Sequence, residues 1–327
     1  MIVPEPSPAQ VLCSGILVAD IFVPLMSSLP DAGELRATDD FLLDTGGCAA
    51  NVATSLARLG VGAAVNGRVG SDVFGDFIVN DLSAKGISTS GIQRSAHTGT
   101  SKTVILPVLS QDRRFIHTFG ANAEFSSADT SLGMLPDGGV FYLGGFLIMP
   151  SLTSEAVVDL FRAARERGIT TVLDVVVPAG EGSDSMQLLS GILPFTDYFL
   201  PNDEEALALT GLHNPLEQAE FFLSAGCKSV LITQGNHGTL LLNETTRIEA
   251  GTYSIDYVDG SGSGDAFAAG FITGLVERWD MADTLRFASA VGASACTKLG
   301  CTTGVFTRAE AEAFVHEHPL PLVTHAR

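Results

Sequence analysis

The segment Asp259-Gly260-Ser261-Gly262-Ser263-Gly264-Asp265-Ala266-Phe267-Ala268-Ala269-Gly270-Phe271 is the densest signal in this chain. Three glycines within residues 260–264 describe a backbone that turns tightly or admits a ligand closely. The apolar run behind them reads as a helix, so Gly262, Ser263 and Gly264 fall at its N-terminus. Free N–H groups and the helix dipole favour a phosphate at such a place. Asp265 then sits in the first turn, beside the anion. A carboxylate does not help to bind phosphate, so another task is implied, and proton removal from an attacking hydroxyl is the obvious one. The same residues also suit an ordinary capped turn, and spacing alone leaves both readings open.

Working outward, strand-like and helix-like stretches alternate. Val11–Leu17, Ala63–Val69, Val140–Leu143, Thr170–Leu173, Tyr198–Leu200 and Ser229–Thr233 read as strands, and Gly238–Ala250 as a hairpin. Between them, Ala49–Leu59, Asp76–Lys85, Ser154–Arg167, Asp203–Thr210 and Pro215–Ala225 read as helices, several closed by a glycine. Further helices begin near Asp265, Met281 and Arg308. This rhythm predicts an α/β fold, a doubly wound, mostly parallel sheet flanked by helices, in a single domain over residues 1–327. Residues 21–43 and 98–119 break it with strand-like alternation and no helix, as a small inserted β-sheet lid would.

A second glycine-rich start, Gly46-Gly47-Cys48-Ala49-Ala50-Asn51, opens the first long helix. Asn51, about one turn in, offers a donor and an acceptor to a polyhydroxylated molecule. Other chemistries lack their motifs. Gly260-x-Gly262 runs into Asp265 rather than a further glycine, so no dinucleotide fingerprint is completed. Neither G-x-x-x-x-G-K-[ST] nor G-x-S-x-G occurs. The histidines show no metal-ligand spacing, and Cys48 is either a reactive thiol or a small helix residue.

Composition sets outer limits. Hydrophobic residues make up 46% and charged residues 17%, enough apolar material for a large core. With 18 basic against 37 acidic residues the net charge is −19, which repels nucleic acid and anionic membrane alike. Phosphates bound here must then be neutralised by backbone amides and a divalent metal. Five cysteines with no C-x-x-C pair, no apolar run of spanning length and no signal-like N-terminus fit a cytoplasmic protein.

Taken together, the segments resemble the ribokinase-like (PfkB-type) carbohydrate kinases. Asp259–Phe271 is similar to their C-terminal signature D-T-T-G-A-G-D-A-F, and Gly46–Asn51 to their G-G-x-x-x-N motif. Asn202-Asp203-Glu204-Glu205 resembles N-x-x-E, and Thr233-Gln-Gly235-Asn-His-Gly238 resembles T-x-G-x-x-G. The four occur in the family's order, within a resemblance spanning residues 11 to about 305. It implies an ATP-dependent kinase acting on a sugar hydroxyl, with Asp265 as base and Gly262, Ser263 and Gly264 as anion hole. Asp20, Gly46, Gly47 and Asn51 would hold the sugar. Asn202 and Glu205 would act on Mg²⁺ through water, while Thr233, Gly235 and Gly238 would border ATP. Asp259 matches a monovalent-cation position, K⁺ being the expected ion. A homodimer through the lid is implied too. Gly260, Ser263 and Val18 depart from the usual Thr, Ala and, in ribokinase proper, Asn. A nucleoside kinase of the adenosine kinase type, with Phe41, Phe115 or Phe119 as a purine slot, is the alternative within the family. A catalytically silent binding protein is the alternative outside it. Arg36 and Arg113 or Arg114 are the only basic candidates near the sugar end.

Overall fold

The expected alternation is realised as two sheets in a computed structural model that describes residues 9–109, 111, 114–178, 180 and 182–327. Its first strands are β1 Val11–Gly15, β2 Val18–Phe22, β3 Leu42–Gly46, β4 Ala63–Gly70, β5 Ser88–Ser95, β6 Lys102–Leu106 and β7 Arg114–Thr118. They continue as β8 Val140–Gly144, β9 Thr170–Leu173, β10 Tyr198–Phe199, β11 Ser229–Thr233, β12 Thr239–Asn243, β13 Thr246–Ala250 and β14 Leu322–Ala326. The helices are α1 Cys48–Arg58, α2 Val73–Ala84, α3 Ser154–Glu166, α4 Gly182–Leu189 and α5 Asp203–Thr210. After these come α6 Pro215–Ser224, α7 Ser263–Glu277, α8 Met281–Ala295 and α9 Arg308–Glu317.

Among the described residues the large sheet has ten strands, ordered β14-β13-β12-β11-β10-β9-β8-β1-β4-β5. The run from β11 to β5 is parallel, and β12, β13 and β14 add antiparallel strands at one edge. Strands β1 and β8 lie inside this sheet, and every residue of both is buried. That is what near-continuous apolar runs require when helices cover both faces. One apolar core joins the sheet to α1, α2, α7 and α8 through residues such as Leu56, Ile78, Phe271 and Val291. A second joins the other face to α3, α5 and α6 through Phe161, Ala206 and Phe222.

The small sheet runs β3-β2-β6-β7. Sequence reading placed its first part within residues 21–43; the strands instead flank that stretch, and residues 23–41 form a long connection with one bridge, Met26 to Val108. Likewise the strand expected at Val11–Leu17 stops at Gly15, and from Val18 the chain continues as β2 in the small sheet. Gly15 makes the break: its φ is +144°, and a Cβ there would stand 2.0 Å from the Gly144 carbonyl oxygen. Helix α2 starts earlier than its apolar pattern indicated because Asp72 caps it, accepting from the Gly75 amide at 2.9 Å. Strand β5, Ser-Thr-Ser-Gly-Ile-Gln-Arg-Ser, carries too little apolar alternation to have been read.

Candidate active site

The parallel strands point their carboxyl ends at one cleft of about 160 Å³. Asp174 follows β9, Asn202 follows β10 and Thr233 ends β11, so loops after adjacent strands supply its wall. Facing them are Gly262, Gly264 and Asp265, at the start of α7.

Helix α7 begins without any side-chain cap. Gly262 holds the N-cap at φ +72°, where a Cβ would lie 2.2 Å from the Cys301 carbonyl oxygen. The Ala266 amide makes the first helical bond, back to the Gly262 carbonyl at 2.9 Å. Gly264 and Asp265 therefore keep first-turn amides for an anion, and nothing lies within 4 Å of the place where a Gly264 Cβ would be. Ser263 departs from expectation. Its amide donates to the Gly260 carbonyl at 3.3 Å, and it is not part of the cleft wall.

Asp265 is fixed from the other glycine-rich segment. Asn51, buried in α1, donates through Nδ2 to Asp265 Oδ2 at 2.8 Å, across 214 residues of sequence. Asn51 Oδ1 is buried with no hydrogen-bond partner among the described residues. Burial pushes the Asp265 carboxyl up to about 6, held down partly by bonds from Asn51 and the Cys48 thiol, with Asp20 adding repulsion. That range suits a base near neutrality. Cys48, lining the same cleft, is pushed well above the usual thiol range by burial and by Asp265. A protonated donor is the result. Of the two readings of Cys48, the structure favours the small helix residue, here a protonated partner of Asp265.

The opposite end of the site is built on the small sheet. Asp20 of β2 is 7% exposed, and burial lifts its carboxyl to about 6 despite a bond from Thr103. The Cys301 thiol donates to Asp20 Oδ2 at 3.8 Å. At Gly46 a Cβ would stand 1.8 Å from Asp20 Oδ2, so any larger residue would push that carboxylate aside. Gly47, at φ +91°, turns the chain into α1 where a Cβ would meet the Ile16 carbonyl oxygen at 2.4 Å. Thr103 and Cys301 escaped sequence reading because only strand register and chain return bring them to Asp20. Of the basic candidates, Arg36 is bound by Glu34 and Ser28 and Arg114 by Gln111, while Arg113 lies outside the described residues. Phe41, Phe115 and Phe119 are each half exposed or more.

Asn202 and Glu205 first of all start a helix. Asn202 Oδ1 accepts from the Glu205 amide at 2.8 Å, and Glu205 Oε2 accepts from the Asn202 amide at 2.9 Å, a reciprocal cap on α5. A bridge between Asn202 and Thr233 sets this cap beside β11. Asp174, missed in the sequence, accepts a 2.7 Å bond from the Tyr142 hydroxyl. Burial, with repulsion from Asp265, pushes Glu205 to about 7, and burial with repulsion from Glu205 and Asp265 pushes Asp174 well above the carboxylate range. Three carboxylates at one cleft, with no lysine or arginine among the described residues of its wall, are hard oxygen donors in want of a cation, and such a set fits Mg²⁺. Among the described residues no three acidic, His or Cys side chains are grouped closely enough to cage a metal directly, so contact through the ion's own water fits best. Gly235 and Gly238 shape the turn between β11 and β12 but do not line this cleft. Asp259 is buried, its Oδ1 accepting from the Ser261 amide and hydroxyl at 3.2 Å.

Comparison with known proteins gives the chain's family and fold. A family model described as pfkB family carbohydrate kinase matches residues 9–308. Ribokinase from Haemophilus influenzae is 30% identical over 293 residues, covering 88% of this chain and 92% of its own. An E. coli protein solved in complex with ATP and Mg²⁺ superposes with a TM-score of 0.81 at 23% identity, covering 95% of this chain and 100% of that one. Arabidopsis thaliana ribokinase, solved with ribose and ATP, gives 0.78 at 22% identity, covering 95% and 99%. The two structures speak for the fold. Among the described residues no helix is long and apolar enough to cross a membrane. The family match and the Haemophilus relative place this chain in the pfkB family of carbohydrate kinases.

Proposed function

We propose that the enzyme transfers the terminal phosphoryl group of ATP to a sugar hydroxyl, with Asp265 as general base. The single observation that carries this reading is the Asn51–Asp265 hydrogen bond of 2.8 Å, which ties a polyol-type residue to a carboxylate beside an uncapped helix start. In the reaction Asp265 accepts the hydroxyl proton as the oxygen attacks phosphorus. The bond from that phosphorus to the ADP oxygen breaks, and ADP leaves with the electron pair. Amides of the Gly262–Asp265 turn, with Ser263 shaping it from behind, stabilise the charge on the moving group. Asp20, Gly46, Gly47 and Asn51 orient the acceptor. Thr233 borders the phosphates, and Gly235 and Gly238 hold the turn against which the nucleotide rests.

Glu205, Asn202 and Asp174 would hold Mg²⁺ through its water shell. When bound, the ion neutralises phosphate charge in a cleft whose own side chains are acidic. Asp259 is the position for a monovalent cation such as K⁺. We assign the enzyme to the cytoplasm, where ATP and reduced cysteines coexist. The small sheet acts as a lid over the acceptor, and a second copy of the chain covers its outer apolar strand, β7. Support comes from Phe115 and Ile116, which are 57% and 63% exposed on an edge strand. Light scattering checks the dimer, and a monomer at micromolar concentration removes it.

The test of the reading is ADP release from Mg-ATP over a panel of pentoses, hexoses, sugar acids, sugar phosphates and nucleosides. Acceptor-dependent release is expected. Equal release with and without every acceptor refutes it.

A further inference from the structure

The register of the small sheet sets four polar side chains in one row. Asp44 of β3 lies directly opposite Asp20 of β2, Asp20 opposite Thr103 of β6, and Thr103 opposite His117 of β7. Directly opposed residues share a face, so this row looks the same way as Asp20 does, toward the acceptor site. Contacts along it bear this out: Thr103 bonds to Asp20, and the Thr103 hydroxyl is 3.0 Å from His117 Nδ1. The Asp20–Asp44 pair is the odd element. Like charges directly opposite each other destabilise a sheet. The cations of this sheet, its long loop and the end of α2 are engaged elsewhere: Arg36 with Glu34, Lys85 with Asp81, Lys102 with the Thr100 carbonyl and Arg114 with Gln111. Lys85 reaches Asp44 only through its field. In the same site Asn51, 4% exposed, has an Oδ1 with no partner among the described residues, an acceptor waiting for a donor.

We infer that Asp44 is a specificity-determining residue: with Asp20 it clamps neighbouring hydroxyls of an uncharged acceptor and turns away sugar acids and sugar phosphates. The inference rests on the kinase reading above and deepens it. Carboxylates only accept hydrogen bonds, and a vicinal diol offers two donors. A carboxylate or phosphate on the substrate would bring further negative charge against two aspartates that, among the described residues, no lysine or arginine pairs directly, Lys85 acting on Asp44 only at a distance. Repulsion of this kind is how a site rejects as well as selects. Thr103 keeps Asp20 in place, and His117 extends the polar row along the sheet.

The experiment compares wild type with Asp44→Asn, which keeps the oxygen that accepts from the Thr45 amide. Steady-state kinetics are run with D-ribose, D-fructose, D-gluconate, 2-dehydro-3-deoxy-D-gluconate and D-fructose 6-phosphate. Wild type is expected to use a neutral sugar, and the anionic compounds at tenfold the neutral sugar's KM are expected not to inhibit it. In Asp44→Asn the KM for that sugar is expected to rise about 10–100-fold, the size of a lost charged hydrogen bond. The KM for ATP is expected to stay put, and the preference for neutral over anionic acceptors to narrow. Wild type turning over a sugar acid or sugar phosphate as well as any neutral sugar overturns the role of Asp44 and leaves the kinase reading intact. So does an equal loss on neutral and anionic acceptors in the variant. ADP release that no acceptor stimulates overturns both. The inhibition test uses wild type alone, so it decides the matter even if the variant misfolds.

Discussion

Strands β8 and β7 are each five residues long, Val-Phe-Tyr-Leu-Gly and Arg-Phe-Ile-His-Thr, yet the first is buried at every position and the second exposed at every position. Their composition does not explain this, because β7 also carries Phe115 and Ile116. Position does: β8 has paired neighbours and helices on both faces, while β7 is the outer strand of a four-stranded sheet. The large sheet is a scaffold that fixes Asp174, Asn202 and Thr233 at the ends of adjacent strands. The small sheet carries Asp20, packs Phe22 and Ile105 against Cys301, and exposes its outer strand β7. If the lid proposal holds, the first region stores stability and the second responds to substrate or partner.

The comparison breaks most readily by truncation. Phe141→Ala in β8 removes a ring stacked edge-on against Phe161 at 5.6 Å and is expected to cost about 3–5 kcal/mol in denaturant titration. Ile116→Ala in β7 is expected to change monomer stability by no more than about 0.5 kcal/mol while weakening self-association in light scattering. Similar destabilisation by both would mean that β7 is buried in solution as part of the core.

Next in size are effects on the acceptor. Asp20→Ala is expected to weaken sugar binding by about 1.5–3 kcal/mol and Asn51→Ala by about 0.5–1.5 kcal/mol, with the KM for ATP unchanged. Asn51→Ala also lowers kcat, because its amide holds the Asp265 carboxylate. Parallel rises in both KM values would undo the division between the two sides of the cleft.

The pH dependence sharpens the same point. Asp265 and Asp20, each pushed up to about 6, must be ionised to accept protons and hydroxyl bonds. Since protonation silences them, kcat/KM is expected to fall as pH drops through about 6 and to level off above it. Asn51 lowers the Asp265 value, so Asn51→Ala is expected to move this acid limb upward. A limb that stays near 4, where free carboxylates titrate, would show that neither group governs the rate.

The smallest expected signal is dynamic. Saturation with a sugar is expected to slow amide exchange in residues 98–119 and 21–43 while β8 stays protected throughout. Exchange that sugar leaves unchanged in those stretches removes the closing motion from the account.

Much of this was legible in the sequence because periodicity and glycine placement are local. The alternating elements and the helix start at Gly262 follow from short stretches, whereas the Asn51–Asp265 bond joins residues 214 apart. What stayed hidden depends on register and chain return. Cys301 reaches Asp20 across 281 residues. Asp174 lies in Leu-Asp-Val-Val-Val-Pro, which looks like the frayed end of an apolar strand. Asp44 gains meaning only when β3 pairs with β2. Asn202 and Glu205 show the reverse case: a family motif that is also a plain helix cap, whose two roles sequence alone does not separate.

The central claim is that Asp265 takes the proton of an acceptor hydroxyl. Its most direct test follows sugar phosphate formation by ³¹P NMR for wild type and Asp265→Asn, with Mg-ATP and the best acceptor of the panel, alongside ATP binding by calorimetry. The account predicts a phosphate monoester from wild type, a kcat about 10²–10⁴-fold lower in the variant, and unchanged ATP affinity. A variant that keeps more than roughly a tenth of wild-type kcat, outside the range for loss of a general base, would contradict it.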